Sequence, residues 1–122
     1  MIEKRNLAHA FAGFDETWSP RIAGEINEMH LKLAKLEGAF VWHSHAQEDE
    51  LFLVVRGRLR LEFRNQPPVV LETGEFLIVP HGVEHRPVAE EPCEVVLLEP
   101  KGTLNTGDRD DDPRTVRELQ RL

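Results

Sequence analysis

The stretch Val41-Trp42-His43-Ser44-His45-Ala46-Gln47-Glu48-Asp49-Glu50 decides how this chain is read. Two histidines stand two apart, directly after the apolar run Phe40-Val41-Trp42, and a carboxylate follows five residues later. In a strand over Phe40 to His45, the period of two puts His43 and His45 on one face. One strand repeat is about 6.6 Å, and imidazoles so placed can converge on one metal ion at about 2.1 Å each. Glu50 opens the next apolar run, Leu51-Phe52-Leu53-Val54-Val55, so a chain reversal between Ala46 and Asp49 returns it beside the histidines. His85, in Pro80-His81-Gly82-Val83-Glu84-His85, follows 35 residues after Glu50, behind a glycine turn that can bring it alongside.

A histidine on an apolar strand is usually a satisfied core residue, and a purely structural cluster is the alternative here. Three imidazoles and a carboxylate buried together without a partner carry a desolvation cost that a core does not readily offset. A divalent cation removes that conflict, because it binds neutral imidazole and carboxylate directly. The pattern therefore predicts a metal site made of His43, His45, Glu50 and His85.

Outward from this stretch the signals are β. Met29-His30-Leu31-Lys32-Leu33 alternates, with Met29, Leu31 and Leu33 on an apolar face and His30 and Lys32 opposite, expected in solvent rather than in the interior. Arg58 to Arg64 alternates as cleanly, Leu59, Leu61 and Phe63 facing a core. Val69 to Leu71, Glu75 to Val79, His85 to Val88 and Cys93 to Glu99 complete a series of short strands separated by turn signals. Such spacing predicts an antiparallel barrel or sandwich. Before it, residues 5–13 read as a short helix ending in glycine, and Trp18 as a packing anchor. After it, residues 101–108 read as a surface loop. The Asp112-Pro113 start and the Val116, Leu119, Leu122 spacing predict a short C-terminal helix over residues 114–122.

At 122 residues the chain suits one domain, 1–122, with a barrel core at about 22–100. A formal charge of −7, with the acids scattered, argues against a nucleic-acid partner. No apolar run approaches the length of a membrane helix, and no secretion signal follows Met1, so a cytoplasmic location is expected. The single cysteine, Cys93, fits a reducing compartment and reads as a buried hydrophobe.

The segment Gly38 to Gly57, with His43, His45, Glu50 and Gly57, resembles the first motif of the cupins. Gly74-Glu75-Phe76-Leu77-Ile78-Val79-Pro80-His81-Gly82-Val83-Glu84-His85 resembles the second. Two departures stand out: four residues, not five, separate Gly38 from His43, and Ala89 stands where the family carries asparagine. Neither touches a ligand position. The resemblance covers roughly residues 29–100. It implies an all-β fold, the double-stranded β-helix or cupin jelly-roll barrel, flanked here by short N-terminal and C-terminal helical segments. It also implies one divalent transition metal ion (Fe, Mn, Ni, Zn or Cu) held by His43, His45, Glu50 and His85, with two positions open if the ion is octahedral.

Open positions suit a metalloenzyme acting on a small anionic or bidentate substrate, as a dioxygenase, isomerase or decarboxylase. A non-catalytic module that binds or senses a small ligand is the alternative, and a structural protein with a vestigial metal the third. The catalytic residues are unknown; for proton transfer, His81 and Glu84 are the nearby candidates, with Glu84 of outward parity. The chain contains no tyrosine, which argues against an epimerase that uses a tyrosine acid. His30, Lys32, Arg60 and Arg86 share the ambiguity of facing solvent or pocket, while Phe52 and Val41 have the parity of a wall around the metal. Leu51, Leu53 and Val55 make their strand apolar on both faces, so one face needs cover from the N-terminal segment, a second sheet or another subunit, and a homodimer is expected.

Overall fold

The computed structural model describes residues 1–122. A short helix, α1 (Leu7–Phe11), is capped by the Asn6 side chain, which accepts from the His9 backbone N–H. Seven strands follow: β1 (Arg21–Ile26), β2 (Met29–Ala39), β3 (Glu50–Arg56), β4 (Leu59–Phe63), β5 (Val69–Leu71), β6 (Phe76–Val79) and β7 (His85–Pro100). All their pairings are antiparallel. The sheet runs β1-β2-β7-β3-β6, with β4 attached to the first part of β7 and β5 attached to β4.

β7 is the spine. Its 16 residues pair with β2 from Val88 to Pro100, with β4 from His85 to Val88, and with β3 from Glu94 to Leu98. One strand thus serves three neighbours in turn, and the sheet wraps around the side chains of β7 that point inward. At the β3–β4 turn, Gly57 has φ 91°, and a Cβ there would sit 2.8 Å from the Pro92 carbonyl oxygen. Only glycine lets that turn lie against the β7 backbone.

Inside the wrap lie Ala34 and Leu36 of β2, Phe52 and Val54 of β3, Leu59 and Leu61 of β4, Leu71, Val79, and Ala89, Cys93, Val95 and Leu97 of β7. The alternation in β4 is as expected, Leu59 and Leu61 being fully buried. A second, smaller cluster lies on the outside of the sheet. Phe11 and Phe14 pack there on Leu33 and Val96, with Leu31, Leu53, Val55 and Leu122 at its margin. The N-terminal segment therefore covers the second apolar face of β3. At about 1.5–3 kcal/mol per large side chain removed from water, this cover is a substantial part of the fold's stability.

That cover reverses the expected orientation of β2. The Leu31 and Leu33 stripe packs beneath α1, outside the barrel, so Lys32 points inward and is 1% exposed. Two further differences concern local structure. Residues 40–45 are not a strand; they follow the start of β7 through bonds from Phe40 N to Pro87 O and between His43 and His85, and the preceding turn through Gly82 N to His45 O. Residues 114–122 form no helix. Their helical pattern yields to tertiary partners: Val116 N donates to Asn105 Oδ1, Ile22 N to Gln120 O and Leu122 N to Ile22 O. No helix is long and apolar enough to cross a membrane.

Candidate metal centre

The two motifs meet through the backbone. His43 N donates to His85 O at 3.0 Å and His85 N to His43 O at 2.9 Å, which sets the two imidazoles side by side with centroids 4.4 Å apart. His45 is fixed by the turn after β6, where Gly82 N donates to its carbonyl at 2.7 Å. Glu50, the first residue of β3 and paired with Val79, enters from the neighbouring strand. The ligand atoms of His43, His45, Glu50 and His85 all lie within 4.8 Å of one another, and all four residues are buried.

Hydrogen bonds orient the rings. Nδ1 of His43 donates to the Val41 carbonyl and Nδ1 of His85 to the Val83 carbonyl, each at 2.9 Å. With Nδ1 protonated, Nε2 of each ring carries the lone pair, the arrangement a metal-bound imidazole requires. Glu50 Oε1 lies 3.5 Å from both His45 Nε2 and His85 Nε2, beyond a good hydrogen bond, and all three atoms lack a hydrogen-bond partner. Orphaned buried atoms that converge on one point are what a cation would satisfy. The donor set fits a divalent transition ion.

Burial, with the neighbouring His85 and against the Val41 bond, brings the His43 imidazole down to about 4, so it is neutral at ordinary pH. Burial also opposes the charge on Glu50, but the His45 and His85 imidazoles outweigh it and hold the carboxylate below its usual range. Glu99, inward on β7, moves the other way. Burial and then the Glu50 charge raise it well above the usual range, against the pull of Lys32.

A cavity of about 30 Å³ adjoins the cluster, lined by His43, Glu50, Glu99, Asn105 and an apolar wall that includes Leu36, Phe40, Phe52, Val95 and Leu97. At about 10–15 Å³ per water, it holds two or three small groups as it stands. Trp18 closes it, stacked on Phe40 with centroids 4.5 Å apart, and Arg114 lies over the same Phe40 ring. The expected packing role of Trp18 is thus combined with a place on the cavity wall. Phe52 lines the cavity as its parity predicted; Val41 contributes its carbonyl instead.

The weaker candidates fall outside. His81 is exposed and pairs with Asp49, Glu84 pairs with Arg64, Arg60 with Glu62 and Glu90, and Arg86 with Glu62. His30 is only slightly exposed and lies 3.6 Å from Glu25. Sequence reasoning missed Glu99 and Asn105, and it placed Lys32 in solvent in preference to the pocket, where the structure buries it. The signal for Glu99 was a lone carboxylate in step with Cys93, Val95 and Leu97; for Lys32, it was its parity with Ala34 and Leu36.

Residues 29–99 match the Cupin domain family, and this chain belongs to it. The all-β antiparallel jelly roll is the fold of its relatives. A cupin-2 domain containing protein from Shewanella frigidimarina NCIMB 400 is 44% identical, over 80% of this chain and 94% of that one, with a TM-score of 0.77. Protein NMB1881 from Neisseria meningitidis is 32% identical, over 81% of this chain and 100% of that one, with a TM-score of 0.74. The uncharacterized protein YdbB of Bacillus subtilis (strain 168) is 37% identical over 62 residues, 51% of this chain and 55% of that protein. The chain thus matches about half the length of that curated relative.

Proposed function

We propose that this cupin is a metalloenzyme in which His43, His45, Glu50 and His85 hold one divalent transition ion, Fe, Mn, Ni, Zn or Cu, and a small bidentate or anionic oxygen compound is the substrate. The observation that carries this reading is the convergence of unpartnered buried ligand atoms, His45 Nε2, His85 Nε2 and Glu50 Oε1, beside a cavity. Three neutral imidazoles and one carboxylate leave a divalent ion with net positive charge and, if it is six-coordinate, with free positions, which favours an oxygen donor of negative charge. Such an ion supplies Lewis acidity or, if it is iron or copper, a centre for oxygen chemistry of the dioxygenase type.

The chain's own residues set the conditions for that chemistry. The Val41 and Val83 carbonyls keep the His43 and His85 rings in one tautomer and orientation. Leu36, Phe40, Phe52, Val95 and Leu97 exclude water around the cluster, so charges inside act through a low dielectric. Beyond the ligand residues His43 and Glu50, the titratable group on the cavity wall is Glu99, not His81 or Glu84.

The test is elemental analysis of protein purified without chelators, followed by oxygen consumption and isomerisation assays with small hydroxy-carbonyl compounds and vicinal diols. Turnover that depends on the bound metal supports the enzyme. Metal and ligand binding without turnover would make the chain a binding or sensing module instead. We also infer a homodimer: Phe76 and Ile78, 63% and 59% exposed, lie on β6, which pairs with β3 alone and so offers a free edge to a second copy. A monomer in sedimentation at micromolar protein would contradict this.

A further inference from the structure

The cavity has a second polar wall, opposite in character to the histidine cluster. Lys32 and Glu99 are each 1% exposed and face each other inside the barrel. Lys32 Nζ donates to Glu99 Oε1 at 2.9 Å and reaches the Thr103 carbonyl at 3.4 Å. Glu99 Oε2 has no partner, although Glu99 lines the same cavity as His43 and Glu50. A buried ion pair contributes little net stability compared with packed apolar residues, and a carboxyl oxygen left unpartnered is costly. Support of the fold therefore does not account for the pair, whereas a ligand that completes Oε2 does.

We propose that Glu99, held in orientation by Lys32, determines which ligand the site accepts: it hydrogen-bonds a hydroxyl of a small molecule whose other oxygens are bound at the His43, His45, Glu50 and His85 cluster. This rests on the reading of that cluster as a metal site. The ligand class is a compact oxygen chelator, such as a hydroxy acid, hydroxyketone or enediol, with one further hydroxyl. The cavity of about 30 Å³ and its apolar lining, Ala34, Leu36, Phe52, Val95 and Leu97, leave no partner for additional charged groups.

The test uses the full chain loaded with Co(II), which reports binding through its visible absorption, and two probes that differ by one hydroxyl: acetohydroxamate and 2-hydroxyacetohydroxamate. The unsubstituted protein is expected to bind the hydroxylated probe about tenfold more tightly, the effect of one buried hydrogen bond between the added hydroxyl and Glu99. In the K32M/E99L double variant, which removes both members of the pair, the preference falls to about twofold or less, with cobalt still at one per chain. Glu99→Gln keeps the shape and leaves Lys32 the amide oxygen, so a donor replaces the free oxygen; the preference drops at least about threefold. The glutamine variant serves if the double variant does not fold. Equal affinity for the two probes in the unsubstituted protein, or a preference unchanged by the substitutions, overturns the proposal. Failure of the unsubstituted protein to take up cobalt overturns the metal reading together with this one, and elemental content alone reveals it.

Discussion

Gly107→Ala is expected to weaken metal binding from a position that holds no ligand. Gly107 has φ 56°, and a Cβ built there runs into the Ser44 carbonyl oxygen and comes within 3.1 Å of His43 Cδ2. The neighbouring Asp108 clamps the same backbone: its N–H donates to Ser44 O at 3.0 Å, and Ser44 N donates to its Oδ1 at 2.9 Å. Ser44 stands between His43 and His45, so this C-terminal segment braces the pair of histidines. The left-handed φ costs alanine about 1 kcal/mol. Separating the two backbones loses two hydrogen bonds at about 1 kcal/mol each. If the resulting 3 kcal/mol or so falls on the ligand geometry, metal affinity drops about 100-fold, the upper end of what supporting residues contribute. Gly102→Ala is the control. Gly102 also has a positive φ, 85°, but nothing lies within 4 Å of its added Cβ. Competition with a chromophoric chelator gives Kd for both variants, and thermal denaturation without metal gives the structural cost. Equal metal affinity in the alanine variants at 102 and 107 would refute the bracing role.

Lys32→Met alone leaves the Glu99 carboxyl buried without its partner and is expected to destabilise the protein by about 3–5 kcal/mol in urea denaturation, while the K32M/E99L variant recovers most of that loss. Similar stability of the single and double variants would contradict the pairing. Phe11→Ala removes the buried centre of the outer cluster and is expected to cost about 3–5 kcal/mol by the same assay; a loss under 1 kcal/mol would mean that the N-terminal segment does not seal the sheet. Burial and the nearby Glu94 push the Cys93 thiol up to about 11, so at pH 8 the native protein should not react with a disulfide reagent and the unfolded chain should react at once. Rapid labelling of the native state would place Cys93 outside the core.

The β4 alternation was legible because it depends only on local parity, which follows directly from residue order. Residues 40–45, by contrast, form no strand, and His43 and His45 are brought together by backbone bonds to His85 and Gly82. What parity does not give is which face of a strand points inward. In β2 the apolar stripe of Leu31 and Leu33 reads as core, and it is buried, but beneath α1 on the outer side; Lys32 is then inward by default. Glu99 was hidden for a related reason, as the last residue of an apolar run that reads as uniformly buried without a distinct polar site. The C-terminal segment carries a sound helical pattern, yet a helix of nine residues is marginal alone. Its backbone groups find stronger partners in Asn105 and Ile22, distant in sequence and therefore invisible to a local reading. The same holds for the Ser44 clamp, which joins residues 64 positions apart.

In the function proposed here, four side chains, His43, His45, Glu50 and His85, hold one ion. A crystal of the cobalt-loaded protein, measured on both sides of the cobalt absorption edge, tests it most directly. A single strong anomalous peak per chain is expected, bounded by Nε2 of the three histidines and the Glu50 carboxylate at about 2.0–2.2 Å each. No peak there, or a peak at His81 and Asp49 on the surface in its place, would contradict it.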